Sequence, residues 1–493
     1  MSELVSHAVA DGVGVVVIDN PPVNALGVGV WEAIDAEIIR LNADPRVVAM
    51  VLRGAGRTFV AGADIHVFDT FRTRDDSMAR SARTHAVLRR LEDSDKPIVA
   101  AIHGQAFGGG LELAMGCHFR VATVDARFGQ LEVQLGIIPG AGGTQRLPRL
   151  CGAPMAIEMC ARGNIISAPD AHQAGLVDLL VEDELAARAS EFARQCAASG
   201  ARRRTRGIEF SAPEIEAGLA ACRAVEAAIG AGAGSMAARN AVRAIEAGLR
   251  LGFDAGSERE RDLFAECVMS LESKALRHLF FAERQAAKIV AGAAADRPKI
   301  RRVGVTGDLA ARSVLEAGCI AGGLMVVHDS DLTDADMVID AVDDGAPARP
   351  KRLAELARIA APHCLLVSSR RTLFEIVRRA DTDATTAAAG VRLAKRLGRT
   401  PAIVGDAGAF VTDLLLAACP DAARVPAEPG ASNDASRLTR IACELAAEGM
   451  RLVHAGFATR PGDIDVAACH GLGFPRFLGG PIYHAQTTDR PPV

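Results

Sequence analysis

At 493 residues, with 49% hydrophobic and 24% charged residues and a formal net charge of −4, the chain has the composition of a soluble globular protein of about three domains. That balance carries no basic footprint for nucleic acid, and the eleven cysteines form neither a Cys-x-x-Cys pair nor a zinc-finger spacing, so neither a disulfide framework nor a structural zinc site is indicated, and no metal is expected. No stretch approaches the roughly 20 apolar residues of a membrane span and the N-terminus lacks a signal-peptide pattern, so a cytoplasmic location with no membrane partner is expected.

In chain order, Gly12-Val13-Gly14-Val15-Val16-Val17-Ile18, closed by Asn20-Pro21-Pro22, reads as a buried strand and Val47 to Leu52 as a second, with helical periodicity from Trp31 to Leu41 between them. A strand from Pro97 to Ile102 runs into a glycine cluster and then an apolar helix from Leu111 to Cys117. Strands alternating with helices predict α/β layers. From Leu185 to Asp296 the chain turns rich in Ala, Glu and Arg with helical spacing, and its run Arg202-Arg203-Arg204-Thr205-Arg206 reads as a solvated face. Short strands return at Arg302–Val305, Leu324–His328, Asp336–Asp340 and Cys364–Val367, a second and smaller α/β unit. Beyond Asp406 only helices and a Gly/Pro-rich tail are expected. The expected boundaries are 1–184, a helical linker 185–296, 297–405 and 406–493.

Three segments of the first domain carry chemistry. In Phe59-Val60-Ala61-Gly62-Ala63-Asp64-Ile65 small residues let a ligand approach bare N–H groups. In His103-Gly104-Gln105-Ala106-Phe107-Gly108-Gly109-Gly110-Leu111-Glu112 three glycines open a helix, where unpaired amides and the helix dipole favour a developing oxyanion. Phe128-Gly129-Gln130-Leu131-Glu132, followed by Gly136-Ile137-Ile138-Pro139-Gly140-Ala141-Gly142-Gly143-Thr144, adds a second carboxylate in an apolar run. Two carboxylates in one dry pocket can hold different protonation states and divide acid from base work. Each motif alone fits an ordinary turn or a solvated glutamate.

Together, in this order, the segments resemble the enoyl-CoA hydratase/isomerase (crotonase) family from Val15 to Val181. The resemblance implies a crotonase-type ββα spiral domain. It also implies that the amides of Ala63 and Gly109 bind the thioester oxygen, Glu112 activates water, Glu132 protonates C2 and Gly140 helps place the water. Ala61, Asp64 and Ile65, with Ala63, fall where the family holds the adenine end of coenzyme A. Keeping both glutamates favours hydration of 2-trans-enoyl-CoA, with no cofactor beyond the coenzyme A of the substrate. Isomerisation of Δ3 to Δ2 enoyl-CoA, another crotonase-type reaction, or acyl-CoA binding without catalysis are the alternatives.

The later chain, with Glu272-Ser273-Lys274-Ala275-Leu276-Arg277-His278 and Arg460-Pro461-Gly462-Asp463-Ile464-Asp465-Val466, resembles bifunctional proteins that fuse a hydratase to a 3-hydroxyacyl-CoA dehydrogenase. The resemblance implies a truncated Rossmann-like part and a C-terminal helical region, and its dehydrogenase motifs are broken. Gly307 survives from the dinucleotide fingerprint, but Leu309 and Arg312 hold the second and third glycine positions. Asp329 stands where a ribose-binding carboxylate would. Ser369-Arg370-Arg371-Thr372 replaces the substrate-binding serine motif, and Ala380 to Leu393 holds no histidine. NAD binding is therefore not expected, and the assembly is expected to be a monomer or a crotonase-type homo-oligomer.

Overall fold

An Asp-Gly pair sets the first chain reversal. In the computed structural model, which describes residues 4–229, 236–288, 300–344, 346–424 and 432–488, Asp11 and Gly12 have φ of 49° and 77°. Two successive positive angles are what a two-residue hairpin needs. Val5–Ala10 (β1) therefore folds back on Val13–Ile18 (β2) with Ala10 opposite Val13. Of these strands the sequence reading identified only the second.

Ala49–Gly54 (β3), Ile98–Ile102 (β4), Gln105–Phe107 (β5), Phe119–Thr123 (β6), Arg127–Gly129 (β7), Ile165–Ser167 (β8) and Leu179–Val181 (β9) follow. A six-stranded sheet runs β1-β2-β3-β4-β6-β9, parallel from β2 onward, and β5-β7-β8 form a small second sheet. A single bridge from Val60 to Ala106 extends the small sheet toward the segment after β3. Each pass thus adds one strand to the large sheet, one short pairing to the small sheet and then a helix: Arg74–Asp93, then Gly109–Gly116, then Gly143–Cys151 and Ala153–Arg162. This is the α/β spiral that the first domain's motifs imply.

Side chains alternate across a strand, and β3 is buried on both faces. Met50 and Leu52 join the main core with Trp31, Ile34 and Leu88, while Ala49 and Val51 pack with Ala189 and Ala193 of the helix Leu185–Ser199. The stretch expected as a linker is largely packed. Its helices Ala212–Ile229, Met236–Leu251 and Phe253–Met269 bury Cys222, Val242, Ile245, Leu263 and Phe264 in that same main core. The arginine run lies on the surface and is also paired: Arg203 meets Asp178 at 2.6 Å, Arg202 meets Asp95, and Arg206 meets Asp93. The chain divides into two compact units after Ser273.

The second unit contains Arg302–Gly307 (β10), Met325–Val327 (β11), Met337–Val342 (β12), Leu365–Arg370 (β13), Leu373–Arg378 (β14) and Thr400–Gly405 (β15), in the order β11-β10-β12-β13-β14-β15. All neighbours are parallel except β13 and β14, a tight hairpin turned at Arg371, where φ is 50°. Neither β14 nor β15 was anticipated. Ala384–Arg396 is a helix whose first turn is capped by Asp383. Leu309–Ala321 and Ala384–Arg396 cover one face of the sheet, while Val411–Ala418, Ser432–His454 and Pro461–Ala467 bury the other. Among the described residues no helix is long and apolar enough to cross a membrane, and no cluster of three or more His, Cys, Asp or Glu could hold a metal.

Candidate active site

Gly108 places the first carboxylate. Its φ of 51° and ψ of −127° turn the chain from β5 directly into the helix Gly109–Gly116, a conformation reserved in practice for glycine. Glu112 then stands one turn in, 3% exposed, and its Oε1 accepts hydrogen bonds from Ala141 N and Gly143 N, both at 2.8 Å. Glu132 opens the 3-10 turn Glu132–Leu135 just after β7. Its carboxyl lies against Gly108, where a Cβ would come within 2.5 Å of Oε1. With its amide nitrogen facing the carboxyl, the buried Gln130 donates to Glu132 Oε2 at 3.0 Å.

Both carboxyls are shifted toward holding a proton. Burial pushes Glu112 well above the usual carboxylate range; Glu132 and Glu260 push the same way and the Ala141 and Gly143 amides oppose. Burial raises Glu132 to about 7, with its own backbone N–H opposing and Glu260 adding to the rise. The two amides on Glu112 Oε1 favour leaving the negative charge there.

Across from the pair, two amides are available. A short bridge joins Leu26 to Ala63, but its hydrogen bonds run from Leu26 N to Gly62 O and from Asp64 N to Leu26 O. Among the described residues Ala63 N–H takes part in neither. Gly109 N–H, at the first position of its helix, has no partner within that helix. The two are neighbours: a Cβ on Gly109 would sit 3.5 Å from Ala63 N. Both amides line one cavity together with Glu112, Glu132 and Gly140. Leu26, Trp31, Val67, Phe68, Phe71, Ile137, Ile138 and Phe264 form the apolar part of the remaining wall, and Asp64, Arg80, Ser81 and Thr84 add polar groups to it.

Of the residues singled out from the sequence, Ala63, Asp64, Gly109, Glu112, Glu132 and Gly140 therefore share one cavity. Ala61 and Ile65 are not in its wall. Ala61 N pairs with Val23 O, and Ile65 begins a 3-10 turn that Asp64 caps through His66 N.

Three contributors went unnoticed in the sequence. Ser81 donates to Gly140 O at 2.7 Å. Phe264 packs its ring so closely on Gly140 that a Cβ there would lie 2.7 Å away. Glu260, fully buried, accepts from Gly142 N at 2.6 Å and from Thr144 N and Oγ1 at 3.0 and 2.5 Å. Glu260 is hidden in a charged run, Glu258-Arg259-Glu260-Arg261-Asp262. Its spacing from Gly256, Leu263, Phe264 and Cys267, all on the helix's buried stripe, was the available signal.

In the second unit, Gly307 has φ of 104°, and a Cβ there would lie 2.1 Å from Ala341 O. Contact with β12 is reason enough for a glycine. The next helix begins with Leu309, 78% exposed, and its first-turn amide Ala311 N donates to Asp343 Oδ1 at 3.0 Å. Asp308 in return accepts from Asp343 N at 2.8 Å. Two carboxylates thus occupy the helix start, where a dinucleotide needs donors for its pyrophosphate. Asp329 opens the 3-10 turn Asp329–Asp334, and its side chain lies outside the described residues.

Glu375 on β14 is also fully buried, accepting from Val411 N, from Thr412 N at 3.2 Å and from Thr412 Oγ1 at 2.8 Å. Burial raises it to about 7 against an ordinary 4.5. A carboxyl raised on folding stabilises fully below about 4.5 and loses that contribution as pH rises through about 7. The loss should be about 3 kcal/mol. Urea midpoints of the full chain at pH 5 and 8 should therefore differ less for Glu375→Gln than for wild type; equal differences would refute the assignment.

Fold and cavity define a class of α/β spiral proteins that present two backbone amides and two carboxyls to one largely apolar pocket. A family model described as enoyl-CoA hydratase/isomerase matches residues 8–221. A "Probable enoyl-CoA hydratase" of Bacillus subtilis (strain 168) is 44% identical over 180 residues, 36% of this chain and 70% of that protein. The peroxisomal fatty acid beta-oxidation multifunctional protein of Oryza sativa subsp. japonica is 34% identical over 419 residues, 74% of this chain and 57% of the relative. The peroxisomal fatty acid beta-oxidation multifunctional protein AIM1 of Arabidopsis thaliana is 29% identical over 576 residues, 97% of this chain and 76% of its own. The chain belongs to the enoyl-CoA hydratase/isomerase family, and its match spans little more than half of the rice protein's length.

Proposed function

We propose that the chain is an enoyl-CoA hydratase of fatty-acid or acyl-CoA metabolism, adding water across C2=C3 of 2-trans-enoyl-CoA thioesters. The observation that carries this reading is the single cavity shared by Glu112, Glu132 and the unengaged amides of Ala63 and Gly109. The thioester oxygen accepts from the two amides, which draw electron density from the double bond. Glu112, its charge favoured by Ala141 N and Gly143 N, takes a proton from a water placed beside Gly140. The water oxygen bonds to C3, the π electrons move onto the thioester as an enolate, and Glu132 delivers its proton to C2. Donors aimed at an oxyanion contribute about 3–4 kcal/mol each, and positioned acid or base groups about 100–10,000-fold.

Hydration is redox-neutral, so the reaction calls for no nicotinamide, and coenzyme A enters as part of the substrate. Ala61, Asp64 and Ile65 are proposed to flank that coenzyme A. The carboxylates at the start of Leu309–Ala321 support a second unit without dehydrogenase activity. Eleven free thiols suit a reducing compartment, here the cytoplasm. The four sequence modules, and a monomer or crotonase-type homo-oligomer, remain part of the proposal.

Turnover of crotonyl-CoA in ¹⁸O-water, followed by mass spectrometry of the thioester, tests this reading. A labelled 3-hydroxyacyl-CoA is expected, and adding NAD should yield no NADH. Labelled free acid would indicate thioester hydrolysis, and a 3-enoyl-CoA equilibrated with its 2-enoyl isomer without label would indicate isomerisation.

A further inference from the structure

The turn Gly140-Ala141-Gly142-Gly143 has no side chain longer than a methyl group with which to hold its own shape. Its amides are held from outside, alternately. Ala141 N and Gly143 N donate to Glu112, while Gly142 N and Thr144 N donate to Glu260. Two buried carboxylates therefore grip opposite sides of one short stretch of backbone. Glu260 comes from the helix Phe253–Met269, more than a hundred residues further along the chain.

We propose that Glu260 is a positioning residue for hydration: it fixes the Gly140–Thr144 turn so that Ala141 N and Gly143 N stay aimed at Glu112 and Gly140 stays beside the reacting water. The proposal rests on the hydratase reading for its kinetic consequence, and on geometry alone for its structural one.

Glu260 is fully buried, and His85 Nε2 lies 3.5 Å from its Oε1. Its charge is satisfied mainly by the turn's own donors. Buried charge-assisted hydrogen bonds of this kind are stiff, and leaving their donors unpaired is costly. Gly142 has φ of 90°, so once released the turn has other conformations open to it. Nearby packing is keyed to the same place: Cβ atoms at Gly248 or Gly256 would fall 2.0 and 2.2 Å from Gln145 Oε1, and Gln145 donates to Thr144 Oγ1 and Ala244 O. The titratable groups facing the two carboxylates are Glu132, His85 and Cys160, with the Arg146–Glu92 pair behind the turn.

The test uses the full chain with Glu260→Gln and, as a milder change that keeps the carboxylate, Thr144→Val. Amide hydrogen exchange resolved at residues 141–144 is the readout that does not depend on activity. In Glu260→Gln, protection should fall at Ala141 and Gly143, which Glu260 does not touch, as well as at Gly142 and Thr144. Crotonyl-CoA kinetics should show kcat lower by about 10–100-fold with KM within about twofold. Thr144→Val should lower kcat several-fold in the wild-type background and have little further effect in Glu260→Gln. Unchanged protection at Ala141 and Gly143 would overturn the proposal, and so would unchanged kcat in a folded Glu260→Gln. If Glu260→Gln does not fold, Thr144→Val decides by the same two readouts. Should the wild type itself hydrate no enoyl thioester, the hydratase reading fails and hydrogen exchange still judges the clamp.

Discussion

Glu112→Gln and Glu132→Gln should each lower kcat for hydration by about 100–10,000-fold, and the double variant should be little worse than the poorer single one. Both substitutions keep shape and volume, so melting temperature should change little by comparison with rate. The reason for non-additivity is mechanistic: proton removal from water and proton delivery to C2 serve one addition, and losing either leaves the oxyanion donors and binding alone. The pH dependence separates the roles. Glu132 must hold its proton to deliver it, and burial raises it to about 7, so the rate should fall as pH rises through that value. In Glu132→Gln this alkaline limb should vanish from the residual activity. A limb that persists unchanged would assign the titration to another group.

Gly108→Ala should be nearly as damaging, although it removes no functional group. The new methyl would lie 2.5 Å from Glu132 Oε1, and the backbone angles of 51° and −127° strain any other residue, by about 1–3 kcal/mol. Displacing a carboxyl by an ångström in such a site costs about 100-fold in rate. Gly29→Ala supplies the control: its φ of 85° imposes strain too, but nothing lies within 4 Å of the added methyl. That variant should lose stability and keep kcat. Equal kcat in Gly108→Ala and wild type would show that Glu132 is not where the proton leaves.

The site was legible where glycine patterns and carboxylates coincide within a few residues. Gly108 to Glu112 and Glu132 to Gly143 are local motifs, and local turns demand particular residues wherever they occur. What escaped were residues whose role depends on distant packing. Glu260 carries the look of a solvated charge because its neighbours Glu258, Arg259 and Asp262 are exposed or half-exposed. The helix Arg74–Asp93 was overlooked for the same reason, its buried Val87, Leu88 and Leu91 being diluted by charge. β1 escaped although Asp11-Gly12 announces a hairpin, since His7 and Ser6 interrupt its apolar pattern. In the second unit Gly307 reads as the remnant of a broken nucleotide fingerprint, and its contact with Ala341 accounts for the glycine by sheet packing. The stretch Leu185 to Asp296 reads as helical, and its described residues largely are, but helical content says nothing of which core a helix joins.

The most direct measurement is the decay of the enoyl-thioester absorbance of crotonyl-CoA with wild type, Glu112→Gln and Glu132→Gln at equal concentration. The account predicts rapid loss of the band with wild type, near-background loss with both variants, and no nicotinamide absorbance when NAD is present. A band that decays equally with all three proteins would contradict it.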